Sequence, residues 1–288
     1  MKKSKLAKVL TVSLAALMVF GLASCGGGSG KVSDKDITVI SREEGSGTRD
    51  AFTELTGVLQ DDVDKTVDTA EISNSTSVVT QSVAGNDAAI GYISLGPLDD
   101  TVKAVKVDGV EATVDNIKSG DYKIQRPFNI VTKGEVKELP ADFIKFIMSK
   151  DGQKIIEDEG YISVNDNAEA YKASGLKGSI TLAGSTSVSP VMEVLADKYK
   201  ELNSGVTIEI QQTGSGAGIQ STTEGVCDIG MASRELKDEE TSQGLKSEEI
   251  ALDGIAVIVN KDNGVEDLSM DQIMKIFTGE ITNWADVK

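Results

Sequence analysis

Short apolar runs alternate with stretches of helical period along most of this chain, and the pattern predicts strands followed by helices. Residues 37–40, Ile-Thr-Val-Ile, predict a buried strand, and Phe52, Leu55 and Leu59 recur on one face of a helix just after it. Residues 60–71 are polar and acidic without a clear period, which predicts a surface excursion. Ser75, Thr76 and Ser77 offer caps for a helix carrying Val78, Val79 and Val83. Residues 88–95 predict a strand, residues 102–107 alternate into the hairpin signal Asp108-Gly109, residues 113–120 predict a short helix, and residues 126–132 predict another strand. Pro140 opens a helix with Phe143, Ile144, Ile147 and Met148 on one face, and residues 149–152 restart it with Ile155 and Ile156. Residues 161–164 close this region, and residues 165–178 are polar and predict a linker.

A second unit follows with the same grammar. Residues 179–183 predict a strand, then Ser189 as cap and Pro190 in the first turn start a helix with Val191, Val194, Leu195, Tyr199 and Leu202 inward. Strands are predicted at 206–210, 228–232 and 255–260, and Ser269 caps a helix carrying Ile273, Ile276 and Phe277. Strands alternating with helices imply an α/β fold with largely parallel sheets, in which ligands sit beyond the carboxyl ends of the strands.

Three strand–helix junctions carry the same chemistry. Residues 45–48 read Gly-Ser-Gly-Thr, residues 184–190 read Gly-Ser-Thr-Ser-Val-Ser-Pro, and residues 214–218 read Gly-Ser-Gly-Ala-Gly. Each offers hydroxyls and the N–H groups of a helix start, which suit an anion. Arg42 adds a bidentate donor for an oxyanion, with Glu43 or Glu44 available to hold it, and Arg234 follows a further strand. One such loop alone reads equally well as a strand-turn-helix junction with Thr48 as cap. Three of them with two arginines favour a converging oxyanion site.

Composition narrows the classes. The chain has 288 residues, 26% charged and 39% hydrophobic, enough for two lobes. The formal charge of −17 argues against nucleic acid or an anionic membrane surface as partner. There is no histidine and there are two cysteines, so Ser-His-Asp and Cys-His catalytic groups and zinc sites built on histidine or on cysteine alone are excluded. No other base stands beside Ser46 or Thr186 to activate it as the nucleophile of an esterase or phosphatase, so the expectation is a binding protein without catalytic residues, cofactor or metal.

The first 24 residues predict a leader: Lys2, Lys3, Lys5 and Lys8 precede a largely apolar run that is short for a membrane span. Residues 22–25, Leu-Ala-Ser-Cys, resemble a bacterial lipoprotein signal in which Cys25 is lipidated, with residues 25–35 a glycine-rich tether; the other reading is an ordinary secretory signal. Loss of the four leader lysines takes the charge from −17 to −21 and leaves Cys227 as a buried, unpaired thiol.

The motifs AGSTSVSP, TGSGAGI, DIGMASRELKDEE, DGIAVIVN and IFTGEITNW resemble the amino-terminal half of the phosphate-binding proteins of phosphate-specific ABC importers. SREEGSGTRDAF, NDAAIGYISL and KAVKVDGVEATVDNIKSGDYKIQRPF resemble the carboxyl-terminal half, so the resemblance covers nearly all of the mature chain. The order of the halves is reversed, as in a circular permutation, with a truncated tandem duplication or a gene-model error as the alternative. The resemblance implies a two-lobed periplasmic-binding-protein fold of type II, with one lobe from residues 36–124 and 261–288, the other from 125–260, and crossing strands near 124–132 and 252–260. It implies phosphate ligands at Arg42, Ser46, Gly47, Thr48, Thr186, Ser187, Ser215 and Ser233, with Glu44 orienting Arg42. Where the family has a ligand Asp that accepts a proton from phosphate, this chain has Ser233, which weakens the basis for rejecting sulfate. It further implies a monomer outside the cytoplasmic membrane, lipid-anchored, delivering phosphate to an ABC permease. Other tetrahedral oxyanions (sulfate, molybdate, an organic phosphate) and a surface sensor are the alternatives.

Overall fold

A computed structural model of the chain describes residues 34–287. The leader, Cys25 and most of the tether lie outside those residues. In chain order the elements are β1 (Thr38–Arg42), α1 (Gly47–Thr56), β2 (Leu59–Gln60), β3 (Val63–Asp64), β4 (Glu71–Ser73), α2 (Thr76–Gly85), β5 (Ala89–Ser94), β6 (Val102–Ala104), β7 (Lys106–Val107) and α3 (Val114–Lys118). Then follow β8 (Gln125–Lys133), α4 (Glu138–Ile147), α5 (Lys150–Asp158), β9 (Ile162–Ser163), β10 (Gly178–Gly184), α6 (Ser189–Leu202), β11 (Val206–Gln212), α7 (Ser215–Glu224), β12 (Ile229–Ala232), α8 (Asp238–Thr241), β13 (Leu245–Asn260), β14 (Asp267–Leu268) and α9 (Met270–Phe277).

The main sheet runs β11-β10-β12-β8-β13-β5-β1-β4. At one end β10 is parallel to β11 and β12; at the other β1 is parallel to β4 and β5. Between these parallel sets, β8 and β13 pair antiparallel from Leu245↔Lys133 to Gly254↔Gln125. One core gathers Phe128, Phe143, Phe146, Leu182, Leu195, Tyr199 and Met231; a second gathers Phe52, Tyr92, Tyr122, Val257, Phe277 and Trp284. Two lobes of a periplasmic-binding-protein fold result, joined by β8 and β13. Along β13 the side chains change core: Ile250 and Ala251 pack in the first, Ile255, Val257 and Val259 in the second.

Local departures from the sequence reading have plain causes. The 60–71 excursion holds a small hairpin, β2–β3, whose turn residues Asp61 and Asp62 take positive φ, and then β4. β13 begins at Leu245, ten residues before its apolar stretch, because residues 246–249 lie on an exposed, charged portion. α6 is not capped by Ser189, its first residue; the Ser185 hydroxyl accepts from the Ser187 and Val188 N–H groups instead. Val194 and Leu202 are 36% and 42% exposed, because the buried stripe of α6 runs through Val191, Met192, Leu195, Ala196 and Tyr199. Residues 165–177 form no helix or strand, yet Tyr171 packs edge-on against Phe146 and donates to Asp142, which also accepts from Tyr199 and Ser174.

The two ends of the described chain meet. Asp36 bridges to Asn283, the Ile37 N–H donates to the Thr282 carbonyl at 2.8 Å, and the Trp284 N–H donates to the Lys35 carbonyl at 3.0 Å. Among the described residues no helix is long and apolar enough to cross a membrane.

Candidate functional site

Strands β1, β4, β10, β11 and β12 end at one place between the lobes, and the loops that leave them start α1, α2, α6 and α7. Arg42 is the last residue of β1 and is 2% exposed. Its guanidinium lies flat against Glu43: Nε donates to Oε2 and Nη2 to Oε1, both at 2.8 Å. Nη2 also donates to Thr186 Oγ1 at 3.1 Å, across to the other lobe. Glu44 is therefore not the partner of Arg42. It is exposed, while Glu43 directly follows Arg42 and reaches the guanidinium from the same turn. From behind, the Tyr92 hydroxyl accepts the Arg42 N–H at 3.1 Å and lies 2.8 Å from Ser41 Oγ. Tyr92 is stacked on Phe52 at 3.9 Å, and burial lifts its phenol to about 12, so it stays protonated.

The hydroxyls meet in two groups. Thr48 Oγ1 lies 2.9 Å from Ser187 Oγ, and Thr76 Oγ1 lies 3.3 Å from Ser187 Oγ and 3.4 Å from Thr186 Oγ1. Ser215 Oγ lies 3.3 Å from Ser233 Oγ and accepts the Ser233 N–H at 3.2 Å. Gly47 faces this second pair so closely that a Cβ there would stand 2.4 Å from Ser215 Oγ and 2.8 Å from Ser233 Oγ. A side chain at 47 would wedge the lobes apart. Ser46 caps α1, its Oγ accepting the Arg49 N–H at 3.4 Å; its hydroxyl proton is still free to be donated elsewhere. Thr48 lies inside the helix and is not its cap.

All eight residues assigned from sequence are thus brought to one buried locus from both lobes. The carboxylate held there, on Glu43, is engaged by Arg42. The hydroxyls surround it with groups that both donate and accept, and four helix starts add the positive ends of their dipoles. That combination favours a small anion with several oxygens. Among the described residues no cluster of His, Cys, Asp or Glu could hold a metal ion.

Arg234 does other work than the sequence suggests: it turns away from the hydroxyls to Asp50 and Glu240. Arg49, in the first turn of α1, is 20% exposed and bonds Asp64 and the Arg42 carbonyl. The sequence places Thr76 only as a helix cap. The clue to its place was the repeated grammar: residues 73–76 form a fourth strand–hydroxyl–helix junction. The Gly45 carbonyl, which accepts the Gly216 N–H across the lobes at 2.9 Å, carries no side-chain signal at all.

Beneath the site, Arg126 on β8 and Asp253 on β13 form a buried pair, Nε and Nη2 each 3.1 Å from Oδ2. Burial pushes the Asp253 carboxyl up, and Arg126, the Ser94 hydroxyl and the Leu95 N–H pull it back toward the ionised form. Arg126 Nη1 also donates to the Ser233 carbonyl at 3.2 Å, tying the crossing strands to the Ser233 loop.

Comparison with known proteins agrees with this architecture. Residues 28–151 and 169–288 match the family model described as PBP superfamily domain. The chain is 52% identical over 294 residues to the phosphate-binding protein PstS 2 of Streptococcus agalactiae serotype V, covering 100% of this chain and 99% of the relative. It is 47% identical to phosphate-binding protein PstS 2 of Streptococcus pneumoniae serotype 4, over 99% of this chain and 100% of that one. A crystal structure of a phosphate ABC transporter, phosphate-binding protein, from Streptococcus pneumoniae TIGR4 superposes with a TM-score of 0.72 at 48% identity, over 88% of this chain and 100% of the other. The two sequence alignments span 99–100% of both chains, so the order of motifs in this chain is also theirs. With its fold, its sequence and its motif order in common with them, the chain belongs to the PstS family of phosphate-binding proteins within the PBP superfamily.

Proposed function

We propose that this chain captures inorganic phosphate between its two lobes outside the cytoplasm and delivers it to the permease of a phosphate ABC importer. The observation that carries this reading is the buried Arg42, held by Glu43 on one lobe and donating to Thr186 on the other, in a ring of hydroxyls. Arg42 supplies the charge-assisted donor. Thr48, Thr186, Ser187, Ser215 and Ser233 supply hydroxyls, Ser46 a further one, and Gly47 a backbone N–H with no side chain in the way. Thr76 joins them as a ligand from the start of α2. Binding and release by lobe closure need no covalent step, and among the described residues the one carboxylate at the hydroxyls, Glu43, is engaged by Arg42, which supports a carrier and not an enzyme.

The similarity of the leader to lipoprotein signals supports a lipid anchor at Cys25, and the strongly acidic body supports attachment to the membrane through that lipid alone. A monomer suffices, since both halves of the site come from one chain. The lobes are taken as residues 36–124 with 261–288 and residues 125–260, except that Ile162 and the part of β13 from Ile255 to Val259 pack in the core of the first of these. Equilibrium dialysis of the protein against labelled phosphate, with sulfate and molybdate as competitors, tests the reading. Saturable phosphate binding at one site per chain is expected, displaced least by the weaker competitor. Uptake of molybdate or sulfate in preference to phosphate would reassign the cargo, and uptake of none of the three would end the proposal.

A further inference from the structure

Outside the ring of hydroxyls, a side-chain ion pair also joins the lobes, and it uses an arginine that the anion site does not. Arg234 follows Ser233 directly, on the loop leaving β12 of one lobe. Asp50 stands two residues after Thr48, in the first turn of α1 on the other. Arg234 Nε donates to Asp50 Oδ2 at 2.8 Å. The rest of the guanidinium is already fixed on its own lobe: Nη1 and Nη2 donate to the two oxygens of Glu240 at 2.8 Å each, and Nη1 donates to the Glu235 carbonyl at 2.8 Å. The Glu240 carboxylate is anchored in turn by the Lys237 N–H at 2.8 Å. The Arg234 side chain is 8% exposed, that of Glu240 13% and that of Asp50 28%, and Lys237 Nζ lies 3.8 Å from Asp50 Oδ2 as a weaker second cation.

From this geometry we infer that Asp50 and Arg234 are a clasp across the cleft: positioning residues that touch no anion but set how long a bound one stays. Glu240 takes up two of the guanidinium's three nitrogens and leaves Nε aimed at the opposite lobe. The side-chain ordering that makes most partly exposed ion pairs weak is thereby met within one lobe, before closure. Closing then adds one charge-assisted bond at little entropic cost, beside Ser233 and the Gly47–Thr48 turn. Because this bond forms only when the lobes meet, it acts on opening and hence on the off-rate, while diffusion of the anion into the open cleft does not use it.

The inference rests on the phosphate reading only for its most convenient readout. Stopped-flow binding of phosphate to the whole protein should show Asp50→Asn and Arg234→Gln each raising the off-rate and Kd about five- to tenfold, with the on-rate within about twofold of the parent. The double variant should be no weaker than the worse single one, because both remove the same bond. Small-angle scattering of the same proteins reads the closed fraction without reference to any particular anion, and both variants should shift toward the open, larger form. If the parent binds no phosphate but the variants open, the functional reading fails and the clasp stands. Off-rates and scattering unchanged from the parent, losses confined to the on-rate, or penalties that simply add in the double variant would each overturn the clasp.

Discussion

Ser233 is the position at which the proposed site departs from the ligand set that the resemblance implies. Phosphate near neutral pH always keeps a proton, and sulfate has none, so a carboxylate in the cleft accepts from the first and repels the second. Ser233 is fully buried beside Ser215 and Gly47, and the carboxylate of Glu43 is spent on Arg42. No free acceptor-only group therefore faces the anion in the ring described. Sulfate should compete measurably with phosphate in the parent, and Ser233→Asp should lower sulfate affinity more than phosphate affinity. Competition titrations on both proteins decide this; a parent that ignores sulfate in large excess would show that discrimination has another source. At the residue scale, the convergence of side chains was legible where side chain and motif coincide, as at Arg42, Thr48 and Ser215. The choice between Glu43 and Glu44 was misjudged, because β1 ends at Arg42 and the turn that follows brings the next residue back to the guanidinium, where continued strand alternation would have favoured Glu44.

Elements were legible to the extent that burial wrote a period into them. β5 is buried at every position and α9 shows a full capping box at Ser269 and Gln272, and both were plain. β13 was half hidden, since its first part pairs with β8 through residues whose side chains face water. A strand with one solvated face and charged residues looks like loop from the sequence. That same strand carries Asp253, whose buried pairing with Arg126 links the two crossing strands. Asp253→Asn would leave Arg126 charged, buried and without its counterion, at a cost of about 3–5 kcal/mol. Chemical denaturation should register that loss in the midpoint, and a midpoint within error of the parent would mean that Arg126 finds adequate partners in the Ser233 carbonyl and the Phe128 ring, 5.4 Å away.

On the scale of the whole molecule the sequence reads the reversed order of motifs as a permutation, which leaves each local motif intact and changes only the connections. Its physical condition is that chain ends and linker trade places without disturbing the cores. The seam at Asp36 and Asn283 is a strand-like bridge, and Trp284, whose indole N–H donates to the Ala88 carbonyl at 2.9 Å, pins the far side of it under the core. The linker proved less loose than its composition suggested, since Tyr171 sits in an aromatic cluster with Phe146 and Tyr199. Gly175, exposed and at φ +71°, lies just beyond that anchor. A chain joined from Val287 to Lys35 by a short Gly-Ser link and opened after Gly175 should fold and bind phosphate within about threefold of the parent. Failure to fold would mean that the order of synthesis, not only the final contacts, is needed.

The proposed phosphate site turns on Arg42. Isothermal titration of phosphate into the parent, Arg42→Ala and Arg49→Ala measures that directly. The parent should bind one phosphate per chain. Loss of the buried charge-assisted donor should cost about 2–5 kcal/mol, roughly 30-fold in Kd or more. Arg49→Ala, which breaks contacts with Asp64 and the Arg42 carbonyl but removes nothing from the ring of hydroxyls, should cost far less. Equal losses at the two positions, or an Arg42→Ala protein that binds phosphate as the parent does, would contradict the site described.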